Sequence, residues 1–223
     1  METIKKFHDL FGKKKLVKIA RISLEGANPD NKKENLENWL LNLKNKFSGV
    51  LIDTAKDEYD SQRATSTILT VIEDYRKITP WDKKIAVGVE IPRNQRADYV
   101  SSYLSQSYSR GAKFAQLRYK NIENMNEEDF LRIRTNCPDM IILGRIFIER
   151  KKSELKKRAN IMGDKTDGLV IAGKEVTTEI IKSYRKIMKD KLIILEQESE
   201  IITESKLIDA IIIKKTLKSF TQP

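Results

Sequence analysis

Eight short apolar runs punctuate the chain: LVKIARIS from Leu16, GVLIDTA from Gly49, KIAVGVEI from Lys84, FAQLRY from Phe114, MIILGRIFI from Met140, GLVIAGK from Gly168, LIILEQE from Leu192 and AIIIKK from Ala210. Each is rich in β-branched residues and bounded by polar or Gly/Asp segments, as expected of strands buried on both faces of a parallel sheet. The segments between them have helical period. In NKKENLENWLLNLKNKF, Leu36, Trp39, Leu40 and Leu43 share a face; SQRATSTILTVIEDYRKI carries Ile68, Val71, Ile72 and Tyr75; NQRADYVSSYLSQSYSRG carries Tyr99, Tyr103 and Leu104 and stops at Gly111. The helices NEEDFLRIR and TESKLI are expected to be short.

Strand then helix, repeated with right-handed crossovers, gives either a closed barrel or an open doubly wound sheet. Eight strands within 223 residues favour closure. So does METIKKFHDLFGKKK, an amphipathic leading helix over residues 1–13 with Ile4, Phe7, Leu10 and Phe11 on one stripe, able to plug the barrel's bottom. The fold expected is therefore a single-domain (β/α)8, TIM-type barrel over residues 1–223, with the open doubly wound sheet as the alternative.

Period-two alternation divides each strand into helix-facing and lumen-facing rows. Ile85, Val87, Val89 and Ile91 form one apolar row, which turns Ala86, Gly88 and Glu90 inward, with Glu90 at the C-terminal end where barrel active sites lie. By the same reasoning Asp53 faces inward after Val50 and Ile52, with Thr54, Ala55 and Lys56 in the top loop. Gln116, Arg118 and Lys120 face inward on the fourth strand, and Lys214 does so on the eighth; Arg145, Lys174 and Glu196 hold late positions on strands five, six and seven. A ring of acids and bases follows. Its two readings are an active site and a satisfied structural ion-pair network, since such residues are rare inside cores unless paired.

Chemistry narrows the first reading. The only histidine, His8, lies in the leading helix, which speaks against imidazole catalysis, serine-type triads and histidine metal sites. The lone Cys137 has no partner for a disulfide or a zinc site, in keeping with a reducing cytoplasm, and it reads as a small residue before a strand. Neither GxGxxG after the first strand nor GxxxxGK[ST] occurs, so no cofactor is expected.

Proton and carbonyl chemistry then falls to lysine and carboxylate: Lys174 and Lys120 as Schiff-base nucleophiles, Asp53 and Glu90 as proton carriers. Arg118, Arg145, Gly173 and Lys214 are the candidates for holding an anionic, phosphorylated group. Gly173, in IAGKEVT, is the one glycine in a late top loop, because EQESEIIT and KKTLKSF contain none.

These features describe a lyase, aldolase or isomerase acting on a small anionic carbonyl metabolite. The segment IDTAK, Ile52 to Lys56, resembles an Asp-Thr-Ala-x-Lys element of lysine-dependent barrel synthases that make furan phosphates; its lysine stands one position early and the order of elements differs, so that family's roles are not carried over.

Charge adds two alternatives. Forty-three Lys and Arg against 32 Asp and Glu leave +11, which suits a polyanionic partner or a genome biased toward Lys, Ile and Asn. The run ERKKSELKKRAN, with Arg150, Lys151, Lys152, Lys156, Lys157 and Arg158, can track a nucleic-acid backbone, although no aromatic residues interleave with it. A non-catalytic barrel serving as scaffold or homo-oligomeric subunit is the other alternative. No apolar run reaches the roughly 18 residues of a membrane span.

Overall fold

The computed structural model of the chain describes residues 2–12, 16–23, 46–53, 70, 73–74, 77, 85–92, 94–148, 152–173, 176–197 and 207–215. Eight parallel strands, β1 (Val17–Ser23), β2 (Gly49–Asp53), β3 (Ala86–Glu90), β4 (Phe114–Arg118), β5 (Ile141–Phe147), β6 (Gly168–Ala172), β7 (Leu192–Gln197) and β8 (Ala210–Lys215), pair in sequence order and close on themselves. Closure is made by β1 and β8, in register from Val17 opposite Ala210 to Ile22 opposite Lys215. The expected TIM-type (β/α)8 barrel is therefore the fold, and the open-sheet alternative is set aside.

Six helices are described: α1 (Glu2–Phe11), α2 (Ala97–Ser109), α3 (Tyr119–Glu123), α4 (Glu127–Asn136), α5 (Lys152–Lys165) and α6 (Thr178–Met188). The expected helix around Trp39 and the top-loop residues Thr54, Ala55 and Lys56 lie outside the described residues. So do most of the expected helix from Ser61 to Ile78 and most of TESKLI.

Alternation along the strands divides the buried residues into two cores. Val50, Ile52, Val87, Val89, Leu117, Ile142, Ile171, Ile193 and Ile211 face the helices. Leu51, Ala86, Phe114, Leu143, Val170, Ile194 and Ile212 fill the lumen. The stripe on α1 seals the lower end: Phe7 and Phe11 join the lumen core, and the Phe11 and Phe114 rings lie 5.7 Å apart. Gly88 makes room for that packing, because a Cβ there would come within 2.5 Å of three atoms of the Phe114 ring.

The bottom of the second half carries the same clamp twice. Arg134 on α4 reaches Asp167, just before β6, at 2.7 Å, and Asp167 accepts from Ile142 N at 2.7 Å. Arg185 on α6 reaches Asp209, just before β8, at 2.8 Å, and Asp209 accepts from Ile193 N at 2.7 Å. Each arginine also donates to the carbonyl that precedes its strand, Met140 O at 3.3 Å and Lys191 O at 2.9 Å. The helix, the strand after it and the next strand are thus tied together at the end of the barrel devoted to stability.

Candidate active site

The late inward positions meet at the C-terminal mouth. Arg21, the third lumen-facing residue of β1, is the hub: it stands 2.7 Å from Asp53, 2.6 Å from Glu90, and also pairs with Glu196. Arg118 approaches Glu90 at 2.7 Å from the other side. Arg145 grips Glu196 with two hydrogen bonds, Nε to Oε2 at 2.6 Å and Nη2 to Oε1 at 2.8 Å. Three guanidinium groups from β1, β4 and β5 thus face three carboxylates from β2, β3 and β7.

Electrostatics distinguish the acids. Glu90 is 1% exposed, and burial drives its carboxyl above the ordinary range; Arg21, Arg118 and Arg145 oppose the shift while Asp53 adds to it. Burial also pushes Glu196 upward, but the hydrogen bond from Arg145 and the charge of Arg21 outweigh it and hold this carboxyl below the ordinary range. Arg21 remains a cation: burial disfavours its charge, and Glu90, Glu196 and Asp53 together more than offset that.

Beside this network opens a cleft of about 520 Å³, bounded by the ends of β4 and β5 and by α3 and α5. Among the described residues, Arg118, Lys120, Arg145, Lys157 and Arg158 line it against one acid, Glu123. The Arg158 guanidinium lies 5.0 Å over the Tyr119 ring, whose hydroxyl donates to Glu123 at 3.0 Å. Phe147, 49% exposed, forms part of the wall. Among the described residues the lining therefore carries a surplus of positive charge.

Asp53, Glu90, Arg118 and Arg145 therefore converge as expected. Lys120 does not continue β4 into the lumen: the strand ends at Arg118, α3 begins at Tyr119, and Lys120 is exposed on that helix at the cleft. Ile122 and Met125, buried at helical spacing, draw the chain out of the strand. Lys214 has inward parity and lies opposite Arg21 in register, exposed at the rim. Lys174 lies outside the described residues. Gly173 has φ +133°, and a Cβ there would press on Ile148 O at 3.0 Å, so this glycine serves the tight departure of the chain from β6.

Strand alternation placed Gln116 inward, as observed, but missed Arg21 and the contribution of α5. Gln116 is buried in the lumen between Phe114 and Arg118, and neither atom of its amide has a hydrogen-bond partner among the described residues. Lys157 and Arg158, which read in sequence as part of a basic helix face, line the cleft. No group of His, Cys, Asp and Glu among the described residues is placed to hold a metal ion. Cys137 is buried at the end of α4, where burial pushes its thiol up to about 11.

No family profile and no curated protein matches the chain by sequence. Its fold is shared with solved structures. The tryptophan synthase alpha chain from Legionella pneumophila subsp. pneumophila superposes with TM-score 0.65 at 13% identity, over 95% of this chain and 84% of that one. A mutant tryptophan synthase alpha-subunit from the hyperthermophile Pyrococcus furiosus gives 0.61 at 10% identity, over 89% and 86%. The 2,3-dimethylmalate lyase, a PEP mutase/isocitrate lyase superfamily member, gives 0.63 at 10% identity, over 95% and 80%. At these identities the likeness is one of fold. No helix among the described residues is long and apolar enough to cross a membrane.

Proposed function

We propose that this barrel is a lyase or isomerase for a small anionic, phosphorylated carbonyl metabolite, bound in the cleft with its reacting end toward Glu90 and Asp53. The observation that carries the reading is the juxtaposition, among the described residues, of five cations and one acid in the cleft with a buried carboxyl network at the same mouth. Arg118, Arg145, Lys120, Lys157 and Arg158 hold the anion, and Glu90, whose carboxyl is raised, moves the proton. The three solved relatives named above bear enzyme names, two of them alpha chains of tryptophan synthase and one a lyase, which accords with a lyase-type barrel. In the aldolase form of the reading, Lys174 is the Schiff-base nucleophile; Lys120, exposed beside the cleft, is better suited to holding the anion. The setting is cytoplasmic.

Thermal-shift measurements with phosphorylated aldehydes and ketones, beside inorganic phosphate, test the reading. Stabilisation by phosphorylated carbonyls beyond that given by phosphate supports it, and no stabilisation by any anion overturns it. Borohydride trapping with the same compounds, followed by peptide mass spectrometry, decides the aldolase form: an adduct at Lys174 is expected, and no lysine adduct from a compound that is turned over removes it.

One observation favours a second reading. The three arginines and three carboxylates at the mouth satisfy one another's charge, as a structural network in a non-catalytic scaffold or homo-oligomeric subunit also would. Absence of anion binding at the cleft is the outcome that belongs to that reading.

A further inference from the structure

Among the described residues, the buried ion-pair network at the mouth is balanced in charge before any ligand arrives. Arg21, Arg118 and Arg145 supply three positive charges, and Asp53, Glu90 and Glu196 three negative ones. Two of the cations, Arg118 and Arg145, also line the cleft, so they are shared between the buried carboxylates and whatever anion enters. An incoming anion draws on the charge that keeps those carboxylates ionised. In a largely desolvated site, the added negative charge is met by migration of a cation or by uptake of a proton.

The carboxylate most exposed to this competition is Glu90. It faces Arg21 from β1, Asp53 from β2, Arg118 from β4 and Arg145 from β5, and it is buried beyond the reach of bulk solvent. Glu196 keeps two hydrogen bonds from Arg145 as well as Arg21. Asp53 is more open, its side chain 19% exposed.

We infer that binding of an anion in the cleft loads one proton from solvent onto Glu90, so that the ligand itself converts this residue from a carboxylate into a neutral carboxylic acid behind Arg118. No covalent bond other than O–H changes: the carboxylate oxygen takes a proton from water or buffer and releases it when the anion leaves. The inference rests on the proposed anion-binding role of the cleft and adds what that binding does. It gives the site a neutral acid only when substrate is present, and it makes anion affinity depend on pH through the protein and not through the ligand.

Sulfate is the probe, because it does not titrate near neutrality. Calorimetric titration of the full chain with sulfate in two buffers of different ionisation enthalpy reads the protons taken up. The expected result is net uptake of up to one proton per sulfate, with an affinity that falls by up to about tenfold per pH unit. Glu90→Gln is expected to bind sulfate with no uptake.

Uptake that persists in Glu90→Gln, or sulfate bound by the wild-type chain with none, overturns the inference and leaves the anion reading standing. No sulfate binding at all overturns the anion reading, and the inference with it. Infrared difference spectra of the wild-type chain need no variant. A carboxylic-acid C=O band that rises with sulfate saturation is expected, and its absence at saturation overturns the proposal.

Discussion

The Arg21 guanidinium, carried to the mouth by β1, stands 2.6 Å from the Glu90 carboxylate on β3, with β2 between them and only 8% and 1% of the two side chains exposed. A buried pair of this kind contributes little when intact but is costly to split, because the surviving charge is left without a counter-ion in a poorly solvated place. Arg21→Met is therefore expected to destabilise the fold by about 3–5 kcal/mol. Adding Glu90→Gln to it should return a large part of that loss. Urea denaturation of the two single variants and the double variant measures the coupling; strictly additive losses would show that the pair does not act as a unit.

Arg21 also shows where sequence reading stops. On β3 the row Ile85, Val87, Val89, Ile91 leaves no choice of face, and Glu90 is legible at once. On β1 each face carries one charge, Lys18 beside Ala20 and Ile22, or Arg21 beside Val17 and Ile19, so alternation alone does not decide. Closure against β8 decides it, and that pairing is long-range. Strand period misplaces Lys120 because FAQLRYK continues the alternation beyond the point where helical spacing of Ile122 and Met125 takes over. The cleft needs α3 and α5 side by side, a packing that no strand pattern records. The barrel, its plug helix and Asp53, Glu90, Arg118 and Arg145 are legible because each follows from local period.

The repeated clamp predicts how the lower rim fails. Asp167→Ala removes the acceptor of Ile142 N, whose residue is fully buried, and should cost about 1–3 kcal/mol. Asp167→Asn keeps an oxygen for that N–H and should cost less. Asp209→Ala should match the first variant, because Ile193 N depends on it in the same way. Chemical denaturation checks all three, and equal stability of the alanine and asparagine variants at 167 would show that the backbone hydrogen bond is not what the aspartate supplies.

Gln116 points the other way. Its buried amide meets no partner among the described residues, so replacing it with an apolar side chain of similar size removes a desolvation penalty. Gln116→Met is expected to raise stability by about 1 kcal/mol, read as a higher melting temperature. A fall of that size would mean that the amide is well bonded in the folded chain.

The two mouth glutamates should titrate against each other in the pH profile of stability. Glu196 has a lowered folded value, so its contribution is complete above the ordinary carboxylate range and is lost as pH falls through that lowered value. Glu90 has a raised folded value, so its contribution is present below the ordinary range and is lost as pH rises through the folded value. Glu196→Gln should therefore flatten the acid limb of unfolding free energy against pH, and Glu90→Gln should remove the decline on the other side. Superimposable profiles for wild type and both variants would contradict these assignments.

The central claim is that the cleft beside the mouth network holds a small anion, and the affinity of inorganic sulfate for the wild-type chain and for Lys120→Ala/Lys157→Ala tests it most directly. Both lysines are exposed at the cleft, so the fold should not change with their loss. Saturable one-site binding is expected, weakened by about tenfold in the double variant, as removal of one or two charge-assisted hydrogen bonds to the anion would cause. Binding of equal strength in both proteins, or none in either, would contradict it.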